Sequence, residues 1–499
     1  MSVRAGILSL HDIHDFMNKR VSYRQSSVRL GAVAALLLAG CTTDVDIARS
    51  RGELCTRSQA LGADPGGAQT CKRGACAWSK QIDSQHRGSV MSAALDRSGN
   101  LLIVGHFQGE LNLGGEPLAS PTGAWFLAKL DAQGGHVWSK RFWGSVAEIV
   151  SVATDPWENI VLMGNVDGIV DFGGGPQHPS GRSQHDMFVA KFAADGSHRW
   201  SKLFEADHVY DWSRQLKLKV DAMGSMIVCG IRENEEAQTA EGVLLTLKED
   251  GTDQLNTRLS SSDNFFAGIG CAADSMGNIF VGGGAALPLN EEGHGSTQSG
   301  THVLFLAKYD TNGKLLWSQQ LSRDGDSGAL DDVAVDSQGN VVVVGSFVDI
   351  INWGGCPLVA DSEVGEAFMA KFDATGNLVR ARQLRSIYGP SLVAAGAGAT
   401  LVGGYVSEDT SPEATDRNLH LDGCPLSNGS ASAFLFKLDD AGDIRRIYFM
   451  DRAWTGGAAA IDRDHNIFLA GSFQDTLDLG CGPMTSTGEE NIVIAKLAP

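Results

Sequence analysis

A phrase of about sixty residues recurs along this chain from residue 77 to residue 499. Its clearest copy reads Asp332-Val333-Ala334-Val335-Asp336-Ser337-Gln338-Gly339-Asn340-Val341-Val342-Val343-Val344-Gly345, followed by Phe368-Met369-Ala370-Lys371-Phe372-Asp373. The lysine of the second part recurs as Lys129, Lys191, Lys248, Lys308, Lys371, Lys437 and Lys496, at spacings of 62, 57, 60, 63, 66 and 59 residues. A near-constant period made of short strand-like runs and Gly/Asp turns specifies a repeat architecture, in which each unit packs on its neighbours.

Each unit contains four strand-like runs. The first ends at Asp96, Asp155, Asp221, Asp274, Asp336 or Asp462, followed in most copies by two variable residues and Gly. An aspartate there accepts from backbone amides two residues on, and glycine supplies the positive φ of a tight turn. The third run carries the repeated lysine, and the fourth often opens on tryptophan, as at Trp138, Trp200 and Trp317. No segment sustains a 3.6-residue period, which excludes a helical solenoid. Radially repeated four-stranded sheets describe an all-β, seven-bladed β-propeller. Its two ends fit together: the chain finishes on Ile492-Val493-Ile494-Ala495-Lys496-Leu497, a third strand without a fourth. The repeats begin on Ala77-Trp78-Ser79-Lys80-Gln81-Ile82, a fourth strand without a preceding three. The N-terminal strand is therefore expected to complete the last blade and to remove the free edges there.

The units resemble bacterial seven-bladed propeller repeats of secreted proteins and lipoproteins, on the Val-Ala-Val-Asp-x-x-Gly-Asn-Val-Val-Val-Val-Gly phrase and over residues 77–499. Ala307-Lys308-Tyr309-Asp310-Thr311-Asn312-Gly313-Lys314-Leu315-Leu316-Trp317 resembles the tryptophan-docking motif of quinoprotein-like propellers. That resemblance implies Ala, Gly and Trp locking adjacent blades. Both imply a fold and leave activity open.

Ahead of the repeats, Lys19, Arg20, Arg24 and Arg29 precede an apolar run over 30–39 and the ending Leu38-Ala39-Gly40-Cys41. A basic stretch, a short apolar run and small residues spell an export signal rather than a membrane span. The ending resembles the lipobox of bacterial lipoproteins, which implies cleavage before Cys41 and its lipidation. The expected organisation is a signal peptide over 1–40 (with Met17 a better start than Met1), a lipidated tether over 41–75 and the propeller over 76–499. By resemblance to lipoprotein sorting, Thr42 after the cysteine leans towards the outer membrane, so the expected location is the cell envelope. Loss of residues 1–40 removes five basic and two acidic residues and takes the net charge from −19 to −22. Such acidity argues against a nucleic-acid partner. The expected partners are the membrane through the lipid anchor, and envelope proteins or glycans, bound by a monomeric propeller.

Catalytic signatures are missing from the sequence: no Gly-x-Ser-x-Gly, no His-Glu-x-x-His and no Gly-x-x-x-x-Gly-Lys-Ser/Thr occurs. His178, His185 and His198 lack metal-ligand spacing. No vicinal cysteine pair of the quinone-dependent dehydrogenase kind occurs, and no cofactor is implied. Asp462-Arg463-Asp464-His465-Asn466 has the look of a calcium loop but fills the ordinary turn slot. Asp324, Asp326, Asp331 and Asp332 suggest an oxygen-ligand cation site, outweighed by a solvated loop. Eight cysteines follow Cys41, and export permits disulfides. Cys55, Cys71 and Cys76 are expected to staple the tether locally. Cys229 and Cys271 lie on neighbouring blades as a candidate pair, and mutual pairing among Cys356, Cys424 and Cys481 is disfavoured.

Blade three breaks the pattern. The slot held by Ala94, Ala153, Ala272, Ala334 and Ala460 becomes Lys219, with Lys217 two residues earlier on the same face. Its second-to-third loop reads Arg232-Glu233-Asn234-Glu235-Glu236, short and acidic. First strands line the channel of a propeller, so Lys217 and Lys219 are the candidate ligand-binding residues. The alternative is a degenerate blade with Lys219 paired to a neighbouring carboxylate. The leading functional expectation is a binding or protein-interaction scaffold, with loops 288–300 and 407–419 carrying recognition. The competing one is a polysaccharide-active hydrolase or lyase with a site at the channel mouth, and a third, by fold analogy alone, is an outer-membrane assembly factor.

Overall fold

In the computed structural model, the residues described run from 75 to 499 with gaps in the loops, the longest at 287–301 and 407–419. Residues 1–40, Cys41, Cys55, Cys71, His185, residues 324–326 and Cys356 lie outside the described residues, as do loops 288–300 and 407–419. No helix among the described residues is long and apolar enough to cross a membrane.

The repeat folds into seven antiparallel sheets, the blades of a β-propeller. Blade one consists of Arg87–Leu95, Leu101–Leu111, Leu118–Leu130 and His136–Arg141. The first strands of blades two to six are Trp143–Thr154, Lys217–Val220, Phe266–Ala273, Ser327–Val335 and Ile387–Gly396. Blade three adds a two-residue strand, Asp211–Trp212, on the edge of Met226–Asn234. That longer second strand absorbs Arg232, Glu233 and Asn234, which the sequence assigns to a loop.

Blade seven contains Trp454–Ile461, Ile467–Phe473, Asn491–Leu497 and, from the other end of the repeats, Cys76–Ile82. Trp78 pairs with Lys496 and Ile82 with Ile492, so the N-terminal strand supplies the fourth strand of this last sheet. Cys76 belongs to that strand rather than to a locally stapled tether. Its sulfur is joined to Cys481 across a Cα–Cα distance of 5.4 Å, which corrects the expectation that Cys76 staples the tether locally.

Central strands read as unbroken apolar runs because both of their faces are covered. Leu101, Leu102, Ile103 and Val104 are all fully buried, as are Ile160, Val161, Leu162 and Met163. Outer strands alternate, as in Leu315–Gln320. The described core divides into seven clusters, each shared by two neighbouring blades. One of them joins Leu101, Ile103 and Phe126 of blade one to Phe468, Ala470 and Ile494 of blade seven, so the apolar seam continues round the ring. Complete burial of each such Phe or Leu side chain contributes about 1.5–3 kcal/mol.

The turns explain the repeated Asp, Asn and Lys. In blade one, Asp96 Oδ1 accepts from the Asn100 N–H at 2.9 Å, and Oδ2 from Asn100 Nδ2 at 2.8 Å and Lys129 Nζ at 2.8 Å. Lys129 and Trp138 both donate to the Ala194 carbonyl of the next blade, at 3.4 and 3.2 Å. The pair therefore ties a blade to itself and to its neighbour. Gly134 adopts φ +72 and packs under the Trp78 ring, where an added Cβ would come within 2.8 Å.

Blade three departs here as well. In blades one, two, four and five the lysine stands five residues before the positive-φ glycine of the next turn, at Gly134, Gly196, Gly313 and Gly376. Lys248 stands only three before Gly251 and occupies the turn slot, with its N–H donating to the Thr252 carbonyl. The residue in the strand slot is Thr246, paired with Ile227 as Lys129 is with Leu102. Lys248 is thus not a copy of the repeated lysine, and its spacing of 57 is a coincidence of composition.

Candidate functional site: the charged wall of the central channel

The first strands of the described blades enclose a central cavity of about 800 Å³. Its walls are mostly small: Ser92, Ala93 and Ala94 in blade one, Ser151 and Ala153 in blade two, Gly457 to Ala460 in blade seven. Small residues follow from geometry, since seven strands converge on one axis and large side chains would collide. Among the described lining residues only four are charged: Lys217 and Lys219 of blade three, and Asp331 and Asp332 of blade five.

Lys219 sits where the other blades carry alanine, and its Nζ lies 4.0 Å from Asp332 Oδ1. The lysine is about one-third exposed and the carboxylate almost fully buried. Asp332 stands in blade five at the strand register that Lys217 holds in blade three: Asp332 faces Val344 as Lys217 faces Cys229. A β-bulge between Leu330 and Asp332 inserts Asp331, so two consecutive carboxylates line the channel where a regular strand would turn one away. The acidic pair thus belongs to a channel strand and not to a solvated loop. Burial pushes the Asp331 carboxyl up to about 7; the Lys217 ammonium pulls it down and the Asp332 carboxylate adds to the rise. Asp331 keeps part of its surface open to the channel while lying deep inside the ring.

The sequence singles out the lysines but not their partners. Asp332 and Lys217 each stand four residues before the turn aspartate (Asp336 and Asp221), so aligning the blades on that turn brings the two to one register and would have found the partner. Blade three is braced behind this wall. Cys229 on its second strand and Cys271 on the first strand of blade four are bonded, with Cα atoms 6.1 Å apart and both side chains fully buried.

At one end the channel opens into a second cavity of about 590 Å³, where the first turns of blades one, two, three and seven meet. Asp96, Asp155, Asp221, Asp462 and Asp464 line it together with Arg97, Arg463 and Lys496. Most of these carboxylates serve the scaffold. Asp155 pairs with Lys191 at 2.9 Å and Asp462 with Lys496 at 3.4 Å. Burial would raise the Asp96 and Asp155 carboxyls, but their Lys, Asn and backbone donors outweigh it and hold both below the usual carboxylate range. Blade six keeps the lysine with no aspartate in the turn: Lys437 Nζ donates to the His465 carbonyl at 3.1 Å. Burial, with the Arg446 charge, lowers its ammonium against the pull of Asp462. Among the described residues no three His, Cys, Asp or Glu side chains converge as a metal centre. His198 lies in the outer strand of blade two, with Nε2 3.1 Å from Ser201 Oγ.

No protein-family description matches the chain, and no curated protein matches it. Solved structures do. The polysaccharide lyase Uly1 aligns at 11% identity and a TM-score of 0.44, over 88% of this chain and 95% of its own. An ulvan lyase of polysaccharide lyase family PL25 aligns at 9% and 0.46, over 84% and 96%. The β-propeller domain of the Trilobed protease from Pyrococcus furiosus aligns at 8% and 0.43, over 82% and 93%. At these identities the likeness concerns the fold and carries nothing about chemistry.

Proposed function

We propose that this chain is a lipid-anchored propeller of the cell envelope, attached through Cys41, that acts as a binding scaffold with the channel wall of Lys217, Lys219, Asp331 and Asp332 as its recognition site. The carrying observation is the placement of those four charges. In a channel otherwise lined by uncharged residues, blades three and five alone present charge among the described residues. The pairing of Lys219 with Asp332 is loose at 4.0 Å and leaves the lysine accessible. A ligand or partner segment with a carboxylate or an amine can exchange for it at little cost. Envelope proteins and glycans are the partner classes in reach of a tethered protein.

The test is recovery of partners from envelope extracts on the immobilised protein, compared with the Lys217→Ala/Lys219→Ala variant. Species retained by the wild type and lost by the variant support the reading; identical recovery sinks it. Mass spectrometry of the mature N-terminus tests the anchor separately, since an unlipidated Cys41 removes it.

A second reading has one observation in its favour. A carboxyl held near 7 beside an ammonium, as in Asp331 with Lys217, suits general acid–base work on a polysaccharide. Turnover of an acidic polysaccharide by the wild type, abolished in Asp331→Asn, would establish a hydrolase or lyase in place of a scaffold.

A further inference from the structure

Five blades hold a lysine ammonium against the Oδ2 atom of the first-turn aspartate. The separations are 2.8 Å for Lys129–Asp96, 2.9 Å for Lys191–Asp155, 3.1 Å for Lys308–Asp274, 2.9 Å for Lys371–Asp336 and 3.4 Å for Lys496–Asp462. In the same blades an asparagine four residues on stands beside the aspartate, and its Nδ2 reaches the same oxygen, as Asn159 does at 2.7 Å. Blade three has lost both donors together. Thr246 stands in the lysine slot and Ser225 in the asparagine slot.

The aspartate itself remains. Asp221 is 7% exposed, and its Oδ1 accepts from the Met223 and Ser225 N–H groups, each at 2.8 Å. Oδ2 has no donor among the described residues. Thr246 is 2% exposed and its Oγ1, too, is buried with no hydrogen-bond partner. The buried Thr246 hydroxyl costs about 1–3 kcal/mol if nothing satisfies it, and the Asp221 carboxylate, which faces the cavity at the channel mouth, stands at the neighbouring repeat position with Oδ2 free of donors among the described residues.

The rest of the ammonium's surroundings is also kept. Lys129 and Lys191 each donate to a carbonyl in the third turn of the following blade, Ala194 and Glu249. The same turn position after blade three is Thr311, whose carbonyl takes Gln254 Nε2 at 2.9 Å and has a second lone pair. Gly277 brings this turn and the aspartate to one spot: a Cβ there would lie 3.0 Å from Thr311 Cγ2 and 3.4 Å from Asp221 Oδ2. A carboxylate, a hydroxyl and a peptide carbonyl are hard oxygen donors of the kind that bind alkali and alkaline-earth cations. One carboxylate balances a single positive charge, whereas calcium takes six to eight oxygens with several carboxylates among them.

We propose that blade three binds an alkali cation, potassium or sodium, where five other blades place a lysine ammonium, with Asp221 Oδ2, Thr246 Oγ1 and the Thr311 carbonyl as ligands. The ion replaces a covalently attached charge by an exchangeable one. It couples the integrity of the blade that carries Lys217 and Lys219 to the ionic composition around the protein. Asp221 also lines the cavity at the channel mouth, which gives the ion a path to solvent.

The test is thermal denaturation of the full chain in choline, sodium and potassium chloride at equal ionic strength. The midpoint is expected to rise by about 1–3 °C in at least one alkali salt, saturably with concentration. Thr246→Lys is expected to melt at or above the alkali-bound wild type and to lose the response, because the ammonium is then built in. Thr246→Val is expected to lose the response without the gain. Equal midpoints for the wild type in all three salts would overturn the proposal, as would an undiminished alkali response in Thr246→Lys.

Discussion

At the scale of single residues, the repeated lysines and aspartates are structural, and their burial sets what each change should do. Lys191 is 1% exposed with Asp155 fully covered beside it, so Lys191→Met strands a buried carboxylate. The expected loss is about 3–5 kcal/mol, reduced in the Lys191→Met/Asp155→Asn double variant, measured by chemical denaturation. The aspartates of these pairs and Asp331 respond to pH with opposite sign. Asp96, Asp155, Asp274 and Asp336 have depressed carboxyls in the folded chain. Their stabilisation is complete above the ordinary value of 3.8 and is lost as pH falls through the depressed folded values. Asp331 is raised to about 7, so the folded state holds a proton that the unfolded chain releases from 3.8 upward. Between those two values it lowers stability as pH rises. Thermal midpoints from pH 4 to 7 should fall less steeply in Asp331→Asn than in the wild type; parallel profiles would show that Asp331 is not raised. The type of each repeated residue was legible in the sequence, but its slot was not always. Lys248 shares the lysine's spacing yet lies in a turn, because a side chain can drift while the positive-φ glycine at Gly251 is pinned by backbone geometry. Counting from glycines rather than lysines exposes Thr246.

At the scale of strands and blades, covalent links sit where the repeat is weakest. The Cys76–Cys481 bond joins the N-terminal strand to blade seven across 405 residues of sequence, beside the ladder and the apolar seam that close the ring. Cys229–Cys271 ties blade three, with its substituted lysine slot, to blade four. Removing either bond is expected to cost about 2–5 kcal/mol. The two losses should differ in place: Cys76→Ser should raise amide exchange in Asn491–Leu497 and leave blade three protected, and Cys229→Ala should do the reverse. Exchange that rises uniformly in both would mean that the ring opens as one unit. Closure was legible because unmatched ends are a property of the pattern. The seam disulfide was not, because Cys481 resembles the Gly-Cys-Pro loops of blades five and six, and only the folded register sets it against Cys76. The bulge at Asp331 recurs at Met91 and Val150, each five residues before the turn aspartate, but residue types as different as Asp, Met and Val leave no mark of it in the sequence.

At the scale of the whole molecule, sevenfold regularity builds a ring and its failures mark the places with chemistry to offer. Regular blades contribute small residues to the channel and spend their charges on each other. Blade three supplies two channel lysines and blade five two carboxylates, and the same blade three leaves Asp221 and Thr246 without their usual donors. The most direct measurement of this account is partner recovery from envelope extracts on three immobilised proteins: wild type, Lys217→Ala/Lys219→Ala, and a variant altered only on the exposed outer strand, Leu316→Ala. Each is first matched for thermal midpoint. The account predicts that species held by the wild type and by Leu316→Ala are lost from the channel variant. Equal recovery on all three would contradict it and move recognition away from the channel.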